Sequence, residues 1–190
     1  MKIAGVILAG GASSRMGEHK PFLPFRGATL IEAVIARAKP QVDVLAIDVA
    51  PEMAATYRSR LNQTILPDIF TENFGPLCGI VTGLAWCETD WLATFPCDTP
   101  FLPRDLVARL AAHADKSPIV ARGAQVCGLW PKSCLAQLRR GVENGTRRSV
   151  LSAVEALGGK AVDIAEDENA FFNINTRDDL EAAERLSPSP

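Results

Sequence analysis

Two stretches of this sequence carry residue types suited to handling phosphate. The first is Leu8-Ala9-Gly10-Gly11-Ala12-Ser13-Ser14-Arg15-Met16-Gly17, followed by Lys20. Glycines leave backbone N–H groups free to approach phosphate oxygens, and the cations Arg15 and Lys20 supply the longer-range attraction that amides lack. The second is Pro96-Cys97-Asp98-Thr99-Pro100. Its carboxylate suits a hard cation such as Mg2+, which takes one or two carboxylates together with phosphate oxygens and water. The competing reading of Asp98 is a helix cap ahead of Pro103.

The glycine stretch fits neither of the two commonest phosphate fingerprints. A P-loop needs G-x-x-x-x-G-K-[ST], but Gly17 is followed by Glu18-His19-Lys20-Pro21, which displaces the lysine and omits the hydroxyl. A dinucleotide turn needs G-x-G-x-x-G, and Gly10-Gly11-Ala12 breaks that spacing. A merely flexible turn leaves the crowding of cations and glycines at one strand end without a reason.

The surrounding pattern supplies that strand end. Short apolar runs alternate with helical periodicity: Ile3 to Leu8, Thr29 to Lys39, Val42 to Val49, Glu52 to Leu61. Such alternation predicts βαβ units and a mostly parallel sheet, hence an α/β fold. Thr64 to Leu66 reads as a short strand. Gly75-Pro76 opens a helix through Trp86, and Trp91 to Phe95 reads as a buried central strand that delivers Asp98 to its carboxyl end. Pro103 is placed as the first turn of a helix that buries Leu106, Val107 and Leu110. Strands are expected at Ile119 to Ala121, Val126 to Trp130 and Ala161 to Ile164, with an antiparallel edge strand among them. Helices are expected over Ser133 to Arg140 and Thr146 to Leu157. The final strand end is placed at Phe172-Asn173-Ile174-Asn175, and a closing helix from Thr176 to Leu186 carries a capping box, Thr176-x-x-Asp179. Residues 187–190 read as a frayed tail.

Composition narrows the classes. The chain has 190 residues with 47% hydrophobic content, enough for one substantial core and one domain spanning 1–190. Twenty Lys and Arg nearly cancel 22 Asp and Glu, so no broad positive field exists to hold nucleic acid or an anionic membrane. No stretch is long enough to span a bilayer, and the apolar start is too short for a signal peptide. Five cysteines, Cys78, Cys87, Cys97, Cys127 and Cys134, include no C-x-x-C pair, which fits a reducing, cytoplasmic setting.

Leu8-Ala9-Gly10-Gly11, Ser14-Arg15-Met16-Gly17 and Lys20 resemble the L-A-G-G-x-x-x-R-M-G-x-x-K signature of nucleotidyltransferases that activate small phosphorylated compounds. Three further blocks follow in the same order: Gly75-Pro76-Leu77-Cys78-Gly79, Pro96-Cys97-Asp98-Thr99-Pro100, and Phe172-Asn173-Ile174-Asn175-Thr176. Together they resemble the molybdenum cofactor guanylyltransferases, the MobA family, over nearly the whole chain. That resemblance implies a Rossmann-like three-layer nucleotidyltransferase fold, mostly parallel with an antiparallel strand. It implies transfer of GMP from GTP to the phosphate of molybdopterin, with Mg2+ as cofactor and Asp98 as its ligand. Arg15, Lys20 and Asp98 become the catalytic candidates. Leu8, Ala9, Gly10, Gly11, Lys20, Asp48, Asp68 and Asp98 become the nucleotide contacts, and Arg147, Arg148, Asn173 and Asn175 the molybdopterin contacts. The nucleotide falls to the N-terminal half and molybdopterin to the C-terminal half, with transient contact to other proteins of the cofactor pathway.

Several assignments have competitors. Asp48 stands where the family can carry asparagine; an ionised aspartate accepts but cannot donate, and an exposed strand-end carboxylate is the other reading. Asp68 after Pro67 also suits a turn. Arg15, and the adjacent Arg147 and Arg148, also suit a solvated surface. Arg177 replaces the proline usual after Thr176. CTP in place of GTP, another phosphorylated acceptor, or a nucleotide-binding partner without catalysis are the alternative functions. His19 is expected to face solvent and His113 to fall late in a helix; neither is needed as a base.

Overall fold

In the computed structural model, residues 1–11, 19–70, 75–146, 149–164 and 169–186 are described. The first run of apolar residues becomes β1 (Ile3–Leu8), buried along its whole length. A strand apolar on both faces is stable only in a sheet covered on both sides, and β1 is central here. A small hairpin, β2 (Pro24–Phe25) and β3 (Ala28–Thr29), leads into α1 (Leu30–Ala38). Next come β4 (Val44–Val49), α2 (Ala54–Arg60), β5 (Thr64–Pro67), α3 (Pro76–Trp86) and β6 (Trp91–Pro96). The remainder is α4 (Leu106–Ala111), β7 (Ile119–Ala121), β8 (Ala124–Pro131), α5 (Leu135–Glu143), α6 (Val150–Ala156), β9 (Lys160–Val162) and α7 (Arg177–Arg185).

Seven strands form one sheet in the order β5-β4-β1-β6-β8-β7-β9. All neighbours run parallel except around β8, which is antiparallel to both β6 and β7. One apolar core unites α1, α2 and α4 with one sheet face through Ile31, Val34, Tyr57, Leu106 and Leu110. A second unites α3, α5 and α6 with the other through Leu77, Ile80, Leu84, Leu138 and Val154. The expected three-layer α/β arrangement is thus the observed one.

Four expectations are corrected. The antiparallel strand is interior, not at an edge: Cys127, Leu129 and Trp130 are fully buried, and a strand apolar on both faces needs neighbours on both sides. Phe172–Asn175 forms no strand; Ile174 donates one hydrogen bond to the Asp98 carbonyl (3.0 Å) and buries its side chain against Phe25, Leu30 and Phe101. Pro103 precedes α4 instead of starting it, because turns fill the gap and Asp105 occupies the N-cap. The helix expected over Thr146 to Leu157 is described only from Val150, with the Ser149 hydroxyl accepting from the Ser152 N–H at its start.

The capping box at Thr176 is present as expected: its hydroxyl accepts from the Asp179 N–H (3.1 Å), and the Asp179 carboxylate accepts from the Thr176 N–H (2.8 Å). Arg177 simply opens α7, since the cap does not depend on the residue after it. Arg26, at the tip of the β2–β3 hairpin, fastens the other end of α7 by donating to the carbonyls of Ala183 and Leu186.

Candidate active site

The carboxyl ends of β4, β1 and β6 lie side by side. The Ala9 N–H donates to the Asp48 carbonyl (2.8 Å) and the Cys97 N–H to the Leu8 carbonyl (3.3 Å), so the ladder continues one step past β1. The chain runs outward from β1 to β4 and β5, then returns to the opposite side of β1 as β6. In an open α/β sheet that switch of direction leaves a crevice at the carboxyl ends, the place where such folds hold ligands. Leu8 and Ala9 are buried, Gly10 is half-buried and Gly11 is exposed at its lip.

Lys20 enters this crevice from a short 3-10 turn, Lys20–Phe22, that Pro21 pre-forms. Its Nζ donates to Asp98 Oδ2 at 2.7 Å and to Asn175 Oδ1 at 3.1 Å. Three segments widely separated in sequence therefore converge on one ammonium group. The Asn175 N–H donates to Asp179 (2.8 Å), so the capping box of α7 also sets the segment that carries Asn175. Asn173, two residues earlier, is exposed and forms no hydrogen bond to this cluster among the described residues. Arg15, Arg147 and Arg148 lie outside the described residues.

Asp48 is buried, not exposed: it is 2% accessible, and its Oδ1 has no hydrogen-bond partner. Burial, reinforced by the neighbouring charge of Asp68, pushes its carboxyl up to about 8. Glycines make room for it. A methyl group at Gly79 of α3 would sit 2.3 Å from Asp48 Oδ2, and one at Gly10 would sit 3.3 Å away.

Asp68 follows β5, and its Oδ1 accepts from the Phe70 N–H (3.0 Å) and from the Thr82 hydroxyl (3.1 Å). Burial raises Asp68 as well, while those donors and the Ile69 N–H pull it back down. Asp68 thus closes a side-chain turn directly after β5.

His19 is corrected too. Its ring packs against Phe22 (5.6 Å) and edge-on to Tyr57 (5.4 Å), and burial lowers its basicity. His113 lies in the exposed turn after α4. Cys97 sits next to Asp98, and burial pushes its thiol up to about 12, so it is no nucleophile at neutral pH.

Sequence reasoning missed Thr82 and Gly79 as parts of this site. Gly79 gave a signal, since a glycine inside a helical pattern marks a close approach. Thr82 gave none, because only the fold places it one turn from Gly79 and beneath Asp68.

A glycine segment after the central strand, and a lysine–aspartate pair at the end of the neighbouring strand, lie at the topological switch point of an open α/β sheet, where such folds hold their ligands. The chain belongs to the MobA-like NTP transferase family, whose domain matches residues 5–158. A molybdenum cofactor guanylyltransferase of Mesorhizobium japonicum is 37% identical, covering 98% of this chain and 97% of that protein. One from Cereibacter sphaeroides is 38% identical over the same shares. The fold is shared with the molybdopterin-guanine dinucleotide biosynthesis protein A of Archaeoglobus fulgidus, at a TM-score of 0.80 and 24% identity over 97% of both chains. It is shared also with the 2-C-methyl-D-erythritol 4-phosphate cytidylyltransferase of Thermus thermophilus, at a TM-score of 0.74 and 20% identity over 97% of this chain and 98% of that one. Among the described residues no helix is long and apolar enough to cross a membrane.

Proposed function

We propose that this chain transfers GMP from GTP to the phosphate of Mo-molybdopterin, forming molybdopterin guanine dinucleotide and releasing pyrophosphate. The observation that carries the reading is the meeting of Lys20 with Asp98 and Asn175 at the strand ends beside Gly10. An oxygen of the molybdopterin phosphate bonds to the α-phosphorus of GTP while the bond to the bridging oxygen breaks and pyrophosphate departs. The acceptor oxygen is already ionised at neutral pH, so no general base is required, consistent with the packing of the half-buried His19 ring against Tyr57.

The difficulty is charge: two polyanions must meet, and more negative charge develops on the leaving group. The backbone amides around Gly10 and Gly11 receive phosphate oxygens, and Lys20 neutralises the triphosphate and the departing pyrophosphate. Arg15 joins Lys20 in that role. Asp48 and Asp68 take the nucleotide at its base, and the N-terminal half thus holds GTP. Asn173, Asn175, Arg147 and Arg148, all from the C-terminal half, hold molybdopterin: the asparagines supply donors and acceptors for the pterin edge, and the arginines a phosphate clamp.

The family chemistry implies a divalent cation, which we assign as Mg2+ with Asp98 as its protein ligand. Among the described residues no three His, Cys, Asp or Glu side chains gather into a metal cage. One carboxylate at the strand end fits Mg2+, which takes its remaining ligands from phosphates and water. When bound, the ion would supply Lewis-acid stabilisation of charge on the phosphoryl oxygens.

Pyrophosphate release measured with molybdopterin and a panel of GTP, CTP, ATP and UTP tests the assignment. Turnover with GTP should exceed the others by at least about tenfold, the low end of what a good bidentate contact to a base edge discriminates. Equal turnover of GTP and CTP would overturn it.

A further inference from the structure

The register of β4 on β5 pairs Asp48 with Leu66, so Asp68, two residues further on, continues the same face of the sheet. That face is covered by α3, where Gly79 admits the Asp48 carboxyl and Thr82, three residues later, holds Asp68. Two carboxyl groups therefore stand side by side under one helix, in unequal surroundings. Asp68 is bound by the Phe70 N–H and the Thr82 hydroxyl, both suited to the ionised form. Asp48 has a buried Oδ1 with no partner, and an ionised carboxylate left so would be far costlier than a neutral one.

We propose that the two form a mixed acid pair that reads guanine. Asp48, carried as the neutral acid, donates its carboxyl O–H to the base O6, and Asp68, as the carboxylate, accepts from N1–H and the exocyclic amine. This rests on the nucleotide reading of the site above. A pair of like acids whose environments push them apart divides donor and acceptor roles in this way. Burial and the Asp68 charge hold Asp48 up to about 8, so it keeps its proton at neutral pH.

Every neighbouring element agrees with a neutral Asp48. From β5 comes Asp68, from β1 the uncharged Gly10, and from α3 the uncharged Gly79. From α2 comes Tyr57, whose hydroxyl is buried without a partner and which burial holds in its neutral form, so it brings no charge. No cation acts on Asp48 from the described residues.

The donor pattern also gives selectivity. Guanine offers one acceptor and two donors along its edge, which the mixed pair complements. Cytosine offers one donor and two acceptors, which leaves the Asp68 carboxylate facing an acceptor. The aspartate at position 48 thereby does what an asparagine amide would do, but only while protonated.

Calorimetric titration with Mg-GTP from pH 6.5 to 8.5, on the parent and on Asp48→Asn, tests this. With the neutral fraction set by a value of about 8, parent affinity relative to that of Asp48→Asn, a permanent donor, should fall about fourfold across that interval. The ligand phosphates titrate identically in both arms and cancel. Parallel profiles in the two proteins overturn the proposal. Absence of Mg-GTP binding by the parent at pH 6.5 overturns the nucleotide reading itself. A second readout needs no ligand: the carboxyl carbon resonance of Asp48, followed by NMR, should titrate near pH 8, and titration in the ordinary carboxylate range overturns the proposal.

Discussion

Lys20 and Asp98 stand 78 residues apart in sequence, yet their side chains form a 2.7 Å ion pair, with only 11% and 18% of each accessible. The pair joins the end of the glycine segment to the end of β6, and Asn175 adds a third attachment from the approach to α7. Under the proposed function, the triphosphate would take up Lys20 and its metal ion would take up Asp98. Each charge then finds an opposite one without leaving the crevice.

Asp98→Asn keeps the shape of the side chain and removes its charge. Turnover should fall by about 100- to 1,000-fold, the scale seen when one preorganised electrostatic group is lost. The melting temperature should fall as well, because the largely buried Lys20 ammonium loses its anionic partner. Steady-state pyrophosphate release, paired with a thermal melt, checks both halves. Lys20→Met should lose activity similarly, and it should weaken Mg-GTP binding as well.

Gly79→Ala is expected to destabilise. Its new methyl would meet Asp48 Oδ2 at 2.3 Å and Leu8 Cδ2 at 2.8 Å, and neither neighbour can retreat from a packed helix–sheet contact. Overpacking of this kind costs about 1–3 kcal/mol, read as a lower midpoint in urea denaturation. The same variant should bind nucleotide more weakly, since α3 would be lifted from both aspartates.

The sign of the pH effect on stability follows from Asp48. Its carboxyl is raised from 3.8 to about 8 on folding, so the folded state holds a proton that the unfolded state releases in between. Stability is full below the unfolded value and is lost progressively as pH rises toward 8. Asp48→Asn removes that loss. Its gain in melting temperature over the parent should therefore be small at pH 5 and larger at pH 8.5.

Thr176→Ala deletes the capping hydroxyl of α7. A cost of about 1 kcal/mol is expected from the lost cap. Because Asp179 also fixes the Asn175 backbone, activity should fall more than this modest loss of stability would explain. Thr176→Ser, which restores the hydroxyl, should recover both.

Local signals carried much of this structure in the sequence. The apolar run of β1 matches the observed strand end to end, and the Pro76 start of α3 and the Thr176 cap of α7 are where their residue types place them. Lys20 and Asp98 were each legible as charged residues beyond a strand that ends at the same edge, but their ion pair was not. Long-range partnership was not legible. Phe172 to Asn175 has the composition of a strand, but the N–H groups of Phe172 and Ile174 bond to the turn carbonyls of Asn169 and Asp98 and its core contact is a satellite cluster. Nothing local could reveal the burial of Asp48, which depends on two glycines 69 positions apart in the chain, Gly10 and Gly79, closing over it. The β2–β3 hairpin, with only two residues per strand, was too short for periodicity to register.

The central claim is that a triphosphate is gripped by the amides beside Gly10 and by Lys20, with its cation anchored on Asp98. Isothermal titration calorimetry with GTP, in the presence and absence of Mg2+, tests it most directly. Tight binding that needs Mg2+ and collapses in Asp98→Asn is the predicted result. Equal heat with and without the metal, or no heat at all, would contradict it.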